Sequence, residues 1–231
     1  MTFKKNQRIV DSFVIANEVT HSWRKDKEDG LLIKLDFEKA YDSVDHSFLD
    51  SVLMEMGFRD RWRGWMRDCI TTPTLSILVN GSPTDQFGVE RGLRQGDMLS
   101  PILFNIAIEA LNCLFKKASN VDLLRGVILG HNELHVTHLQ FANDTILFVK
   151  PKLEYLLNVK WILRCFKLAS GLCINFHKSC IVKVGKKGLS EGAWDEIFRC
   201  KKANLAITYL GLSLGANPCT KKFWDPMLQK I

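Results

Sequence analysis

Three polar positions in this 231-residue chain could act together: Asp36, and the adjacent pair Asn143 and Asp144. Asp36 closes the apolar run Leu31-Leu-Ile-Lys-Leu, whose length and composition predict a β-strand. Asn143 and Asp144 lie between two β-rich runs, His138 to Ala142 and Thr145 to Val149, a pattern that predicts a tight hairpin with the Asn-Asp pair at its tip. A two-residue turn favours Asn and Asp on conformational grounds alone, so the hairpin by itself demands no chemistry. If the two strands are neighbours in one sheet, their carboxylates converge and repel unless a cation lies between them. Mg²⁺ is the natural occupant, because it takes oxygen ligands, often one or two carboxylates, and completes its shell with water and substrate phosphates. Two such ions about 4 Å apart clamp the attacking and leaving oxygens of an in-line phosphoryl displacement. The loop Arg91-Gly-Leu-Arg-Gln-Gly-Asp-Met-Leu-Ser100 adds Arg94, Gln95 and Gly96 as groups for phosphates or a template strand. Its glycines permit close approach to the backbone. This chemistry suits a polymerase, with a two-metal nuclease as the nearest alternative.

The elements that must hold these groups follow from periodicity. Gln7 to Trp23 predicts a helix with Ile9, Val10, Phe13, Val14 and Val19 near one face. Phe37 to Ser43 predicts a turn, and Asp45 an N-cap for a helix from Ser47 to Gly57. A helix from Asp60 to Cys69 interleaves Trp62 and Trp65 with Arg61, Arg63 and Arg67, suited to packing or to a nucleic-acid face. Asn80-Gly81 is a strong hairpin signal between Thr74–Val79 and Gln86–Val89. Ser100 and Pro101 predict the cap and first turn of a deeply buried helix carrying Ile102, Leu103, Ile106, Ala110, Leu111 and Leu114. Strands are predicted from Val121 to Leu129, from Glu133 onward and from Cys180 to Val184, with a helix from Leu153 to Ala169. Trp194 to Phe198 predicts a short helix, and Tyr209 to Leu214 a short strand. Helices and strands alternate without a regular βαβ period, which predicts an α+β fold with a largely antiparallel sheet.

Bulk properties set the outer bounds. Hydrophobic content of 46% and charge of 25% are those of a globular chain and argue against disorder. A net charge of +7 favours a polyanionic partner. Seven cysteines, an odd number without a Cys-x-x-Cys pair, point to free thiols in a reducing, intracellular setting. Cys173, His177 and Cys180 lack the fourth ligand of a structural zinc site. No run approaches the ~18 apolar residues of a membrane span.

At this point a resemblance emerges. Leu35-Asp-Phe-Glu-Lys-Ala-Tyr-Asp-Ser-Val44, the Arg91–Phe104 stretch, Phe141-Ala-Asn-Asp144, Ser170-Gly-Leu-Cys-Ile-Asn-Phe-His-Lys178 and Tyr209-Leu-Gly211 resemble, in order and spacing, the motifs of reverse transcriptases of LINE-type (non-LTR) retroelements, abundant in plants. The resemblance runs from about Gln7 to near the C-terminus. It implies a polymerase palm with an antiparallel sheet and packed helices, partial fingers and a thumb largely absent. The implied partition is a helical lead-in at 1–30, the palm at 31–185 and a post-palm segment at 186–231. The resemblance implies RNA-directed DNA synthesis on an RNA template with a DNA primer and dNTPs, using two Mg²⁺ or Mn²⁺ ions. Asp36 and Asp144 would be metal ligands, Phe37 would lend a backbone carbonyl, and Tyr41 would gate against the ribose 2′-OH. Arg94, Gln95 and Gly96 would contact template and nucleotide, and Lys178 would lie near the triphosphate as a proton donor. Membership of a larger retroelement polyprotein and work in the nucleus are likewise implied. Three departures stand out: Asn143 replaces the first acid of the family's acidic pair, Met98 replaces a proline, and the earlier fingers strands are missing. The first predicts weakened metal binding and a slower reaction, leaving nucleic-acid binding without catalysis as the alternative.

Overall fold

The computed structural model describes residues 9–130, 134–185, 194, 197–205 and 207–215. They divide into two compact units, one of residues up to 37, 112–164 and from 174 onward, the other of residues 38–111 and 165–173.

The first unit is built on a five-stranded sheet around β1 (Gly30–Leu35), the middle strand. β1 pairs antiparallel with β10 (Asp144–Val149) on one edge and β12 (Cys180–Val184) on the other. β9 (His138–Phe141) extends the sheet beyond β10, and β13 (Lys201–Ala203) joins β12 in parallel. Two further short strands are β2 (Phe37–Glu38) and β11 (Cys173–Ile174). Leu31, Leu32, Ile33 and Leu35 are all fully buried, which is why β1 reads as a continuous apolar run and not an alternating one. On one face, Leu32, Ile146, Phe148, Val182 and Val184 form a core with α1 (Ile9–Lys25), with the β7 (Val127–Leu129)/β8 (Leu134–Val136) pair, and with a hairpin of β14 (Ile207–Tyr209) and β15 (Leu212–Leu214). Side chains alternate along a strand, so Leu31, Ile33, Leu35, Leu147 and Val149 are buried on the opposite face.

The buried stripe of α1 is Phe13, Ala16, Val19 and Trp23, whereas Val14, expected on it, is more than half exposed. Trp23 meets Phe148 edge-on, with ring centroids 6.0 Å apart, and lies over Gly30, where a Cβ would collide with the indole. The segment read as one strand from Tyr209 is a hairpin instead. Leu210 and Gly211 both take positive φ, 53° and 81°, the two-residue turn that twisted strands prefer. The predicted strand from Val121 begins only at Val127, and the helix predicted at Trp194–Phe198 lies partly outside the described residues.

In the second unit, α2 (His46–Glu55) is capped as expected. Asp45 accepts from the Phe48 N–H at 3.0 Å and from the Ser47 hydroxyl. These bonds, the Ser47 one foremost, hold the Asp45 carboxyl below its ordinary range. α3 (Asp60–Thr71) follows, tied to α2 by Arg63 and Arg67, which reach Asp50 at 3.1 and 3.0 Å. An exposed arm carries β3 (Thr74–Leu75) paired with β6 (Phe87–Gly88), and β4 (Leu78–Val79) paired with β5 (Ser82–Pro83) across the Asn80-Gly81 turn. α4 (Ser100–Asn120) starts one residue earlier than the Ser-Pro signal implies. The Leu99 carbonyl accepts the first bonds, and the Leu99 N–H is held by Asp97 Oδ1. Its buried stripe is Leu103, Phe104, Ala107, Ile108, Leu111 and Phe115, while Ile102 and Leu114 are exposed, so α4 is amphipathic rather than deeply buried. α5 (Leu153–Ser170), of which only residues 165–170 belong to this unit, ends at Gly171, whose φ is 76°.

Two substitutions test these supports. Gly30→Ala, which drives a methyl group into the Trp23 ring, should cost about 1–3 kcal/mol in urea denaturation. Asp45→Ala should cost about 1 kcal/mol. Because the folded carboxyl is depressed, that contribution is present above the unfolded pKa, near 4, and disappears as pH falls through the lower folded value; wild type and variant should converge in strong acid.

Candidate active site

Asp36 follows directly on β1. The last paired residues of β1 and β10 are Leu35 and Thr145, so one further step in the register sets Asp36 opposite Asp144. The two acids, 108 residues apart in sequence, therefore lie at the same end of the β1–β10 pair. Both are half-buried. The Asp36 backbone is fixed on both sides: its N–H donates to Ser179 Oγ at 3.1 Å, and its carbonyl accepts from the Asn175 N–H at 2.8 Å. Ser179 is fully buried and donates in turn to the Asn175 carbonyl at 2.8 Å. Lys178, on the same turn, is exposed. Asn175 and Ser179, which sequence reasoning passed over in favour of Lys178, are therefore the residues that aim Asp36.

The hairpin tip is shifted by one residue from expectation. Phe141 pairs with Asp144, so the turn residues are Ala142 and Asn143, and Asp144 is the first residue of β10. Strand alternation then places Asp144 on the face of Ile146 and Phe148, the face Asp36 shares. Asn143 is left exposed on the turn. Ala142 holds φ at 50°, a conformation that costs a non-glycine residue about 1–3 kcal/mol and that the neighbouring Asn would have taken more readily.

Two groups that sequence reasoning did not weigh complete this end of the sheet. Lys34, two residues before Asp36 and thus on its face, places Nζ 3.6 Å from Asp144 Oδ1 and donates to the Thr208 carbonyl at 3.0 Å. A lysine inside an otherwise apolar strand was the available signal. Tyr209 is fully buried, and among the described residues its hydroxyl has no hydrogen-bond partner. Burial, with the Asp144 charge adding to it, pushes its phenol well above the ordinary tyrosine range.

The nucleotide-side candidates belong to the second unit. Tyr41 is half-buried and stacks on Phe104, centroids 5.0 Å apart at 29°. Arg94, Gln95 and Gly96 are exposed on the loop before α4, and Gln95 Nε2 donates to Asp42 Oδ1 at 3.2 Å. Gly92 and Leu93 anchor that loop by donating to the Val44 and Tyr41 carbonyls at 2.8 and 2.6 Å. Gly92, with φ of 91°, sits so close to the Asp42 carbonyl that a Cβ would approach it to 2.8 Å. Asp42, Arg91, Arg94, Gln95 and Cys69 line a cavity of about 420 Å³. On α3 the aromatic-basic pattern splits: Trp62 stacks on Phe58 and Arg63 is tied to Asp60, while Trp65 stays half exposed beneath Arg61.

A family profile described as "Reverse transcriptase (RNA-dependent DNA polymerase)" matches residues 1–214. The chain belongs to the reverse transcriptase family. Among curated relatives of this reverse transcriptase-family chain, the transposon TX1 149 kDa protein of Xenopus laevis is 29% identical over 93% of the chain. A Pol polyprotein of the type-1 retrotransposable element R2 of Popillia japonica is 27% identical over 78%. The chain spans 16% and 24% of those two proteins. In structure it is similar to a telomerase of Candida tropicalis solved with a fragment of telomeric RNA: TM-score 0.61, 15% identity, 94% of this chain and 33% of that one. The fold is thus the polymerase fold of reverse transcriptases, with an antiparallel-dominated sheet, and these two relatives are non-LTR retrotransposon proteins. Among the described residues, no group of three or more His, Cys, Asp or Glu is gathered to hold an ion, the Cys173/His177/Cys180 trio included, and no helix is long and apolar enough to cross a membrane.

Opposite responses are expected from the two buried hydroxyls. Ser179→Ala strands the Asp36 N–H and should cost about 1–3 kcal/mol, whereas Tyr209→Phe removes an already unpartnered group and should be neutral or stabilising. Thermal melts of the two variants distinguish them.

Proposed function

We propose that the chain is the palm portion of an RNA-directed DNA polymerase, joining dNTPs to a primer 3′-OH on an RNA template, and that Asn143 slows this reaction. What supports the reading is the β1–β10 register, which leaves Asp36 and Asp144 at neighbouring strand ends, in a chain of this family. Two carboxylates, with the Phe37 carbonyl that the family resemblance assigns to them, would supply an all-oxygen donor set suited to Mg²⁺ or Mn²⁺, which relies on substrate phosphates for much of its shell. Two ions, when bound, supply Lewis-acid activation and neutralise phosphate charge. In this proposal the chain's own groups do the rest. Asp36 and Asp144 orient the donor oxygens, and Tyr41 excludes a ribose 2′-OH. Arg94, Gln95 and Gly96 hold template and nucleotide, and Lys178 delivers a proton toward the triphosphate. The excess of basic residues favours the phosphate backbone. We include in the proposal the partition into lead-in 1–30, palm 31–185 and post-palm segment 186–231, operation within a larger retroelement polyprotein, and work in the nucleus.

A second reading, primer–template binding without catalysis, is favoured by the exposed neutral Asn143 where the family carries an acid. Primer extension on an RNA template with Mn²⁺ separates the two. Asn143→Asp should extend at least about 100-fold faster than wild type, the order of loss when one electrostatic partner of a transition state is missing. Asn143→Asp combined with Asp36→Ala should be inert. Equal rates for wild type and Asn143→Asp would refute the impairment. An inert Asn143→Asp that still binds primer–template with steep salt dependence would leave the binding-only reading.

A further inference from the structure

Lys34 is the one charged side chain of β1, and it does not project freely into solvent. Its side chain is 23% exposed, with Nζ placed between Asp144 Oδ1 at 3.6 Å and the Thr208 carbonyl at 3.0 Å. Its cross-strand neighbours are Ile146 and Cys180. The Thr208 carbonyl belongs to the β14–β15 hairpin. The far end of that hairpin is pinned to α1, where Arg24 donates to the Gly215 carbonyl at 3.1 Å and the Gly215 N–H donates to Asn17 Oδ1 at 3.2 Å. The hairpin is therefore a seated element, and the lysine bonded to it has a defended position next to one of the two acids.

We infer that Lys34 is a positioning residue that sets the charge of the acid site: its ammonium occupies Asp144, lowers the site's affinity for a divalent cation, and couples that occupancy to the Thr208–Tyr209 hairpin. The inference rests on reading Asp36 and Asp144 as the ion site. The cluster of Asp36, Asp144 and Lys34 carries one net negative charge; without Lys34 it would carry two, and with an acid at 143 as well, three. A divalent ion entering between the acids meets the ammonium a few ångströms away, where repulsion is strong because the groups are partly desolvated. An ion that draws Asp144 away from Lys34 leaves the Thr208 bond as the lysine's remaining contact. Binding at the acids and order in the hairpin then influence each other reciprocally. Asn143 and Lys34 thus lower the negative charge of the site by separate routes.

Direct Mn²⁺ binding to the full chain, followed by the electron paramagnetic resonance of the free ion, tests this without any turnover. Lys34→Met should bind Mn²⁺ about tenfold more tightly than wild type, a modest fraction of the unscreened effect of one unit charge at this range. Lys34→Arg keeps the charge and should stay within about twofold of wild type. Adding Asp144→Asn to Lys34→Met should abolish the gain. Amide exchange at Thr208 and Tyr209 should quicken in Lys34→Met. If Asn143→Asp tightens Mn²⁺ binding while Lys34→Met, still folded, binds as wild type does, Lys34 is only a tether for the hairpin and the inference falls alone. If no variant, Asn143→Asp included, binds Mn²⁺, the ion-site reading itself falls and takes the inference with it.

Discussion

β1 is hydrogen-bonded along both edges and buried on both faces, and the first unit depends on that confinement. A strand with antiparallel neighbours on each side has no freedom of register, because a one-residue slip would turn Leu31, Ile33 and Leu35 to the wrong face and bring Lys34 into the core. With β1 locked, the residue after its last rung has a determined neighbour, and that residue is Asp36. The site acid owes its place to apolar packing several residues away. Trp23 seated over Gly30 and against Phe148 secures the other end of the same strand.

Polar groups at the sheet end are handled in contrasting ways. Asp36 has its backbone N–H and carbonyl held by Ser179 and Asn175. Asp144 is partnered by Lys34, and Tyr209 is buried near it with a hydroxyl that no described residue bonds. Ala142 holds a left-handed backbone at the turn while Asn143, the better residue for that geometry, occupies the next position. A positive-φ alanine, a buried phenol and two acids are thus gathered at one end of the sheet.

The second unit shows a different economy. Its loop before α4 is held by backbone bonds at Gly92 and Leu93, leaving Arg94, Gln95 and Gly96 exposed, the first two on the wall of a cavity. Anchoring through main-chain groups keeps side chains available for a ligand, and the left-handed Gly92 packed on the Asp42 carbonyl is what allows that anchor. On α3, by contrast, Arg63 and Arg67 are committed to Asp50, so most of the basic character read there is structural.

What could be read along the chain was local. Motif order placed it among reverse transcriptases, Asp45 announced the start of α2, Asn80-Gly81 announced a turn, and Cys180–Val184 announced a strand with its correct bounds. Motif order is read along the whole chain, but each of the other signals depends on residues within a few positions of one another, where propensity and capping act. Boundaries drifted where two local signals competed, as at Ala142-Asn143, at Ser100, and at the Leu210-Gly211 turn, which apolar residues on both sides disguised as continuous strand. Which strands are neighbours was decided only by tertiary packing. The meeting of Asp36 with Asp144, the bridge from Lys34 to Thr208 and the clamp of Asn175 and Ser179 on Asp36 join residues more than a hundred positions apart. Pairing across such distances is set by the burial of two sheet faces at once, a quantity that no local window of sequence contains.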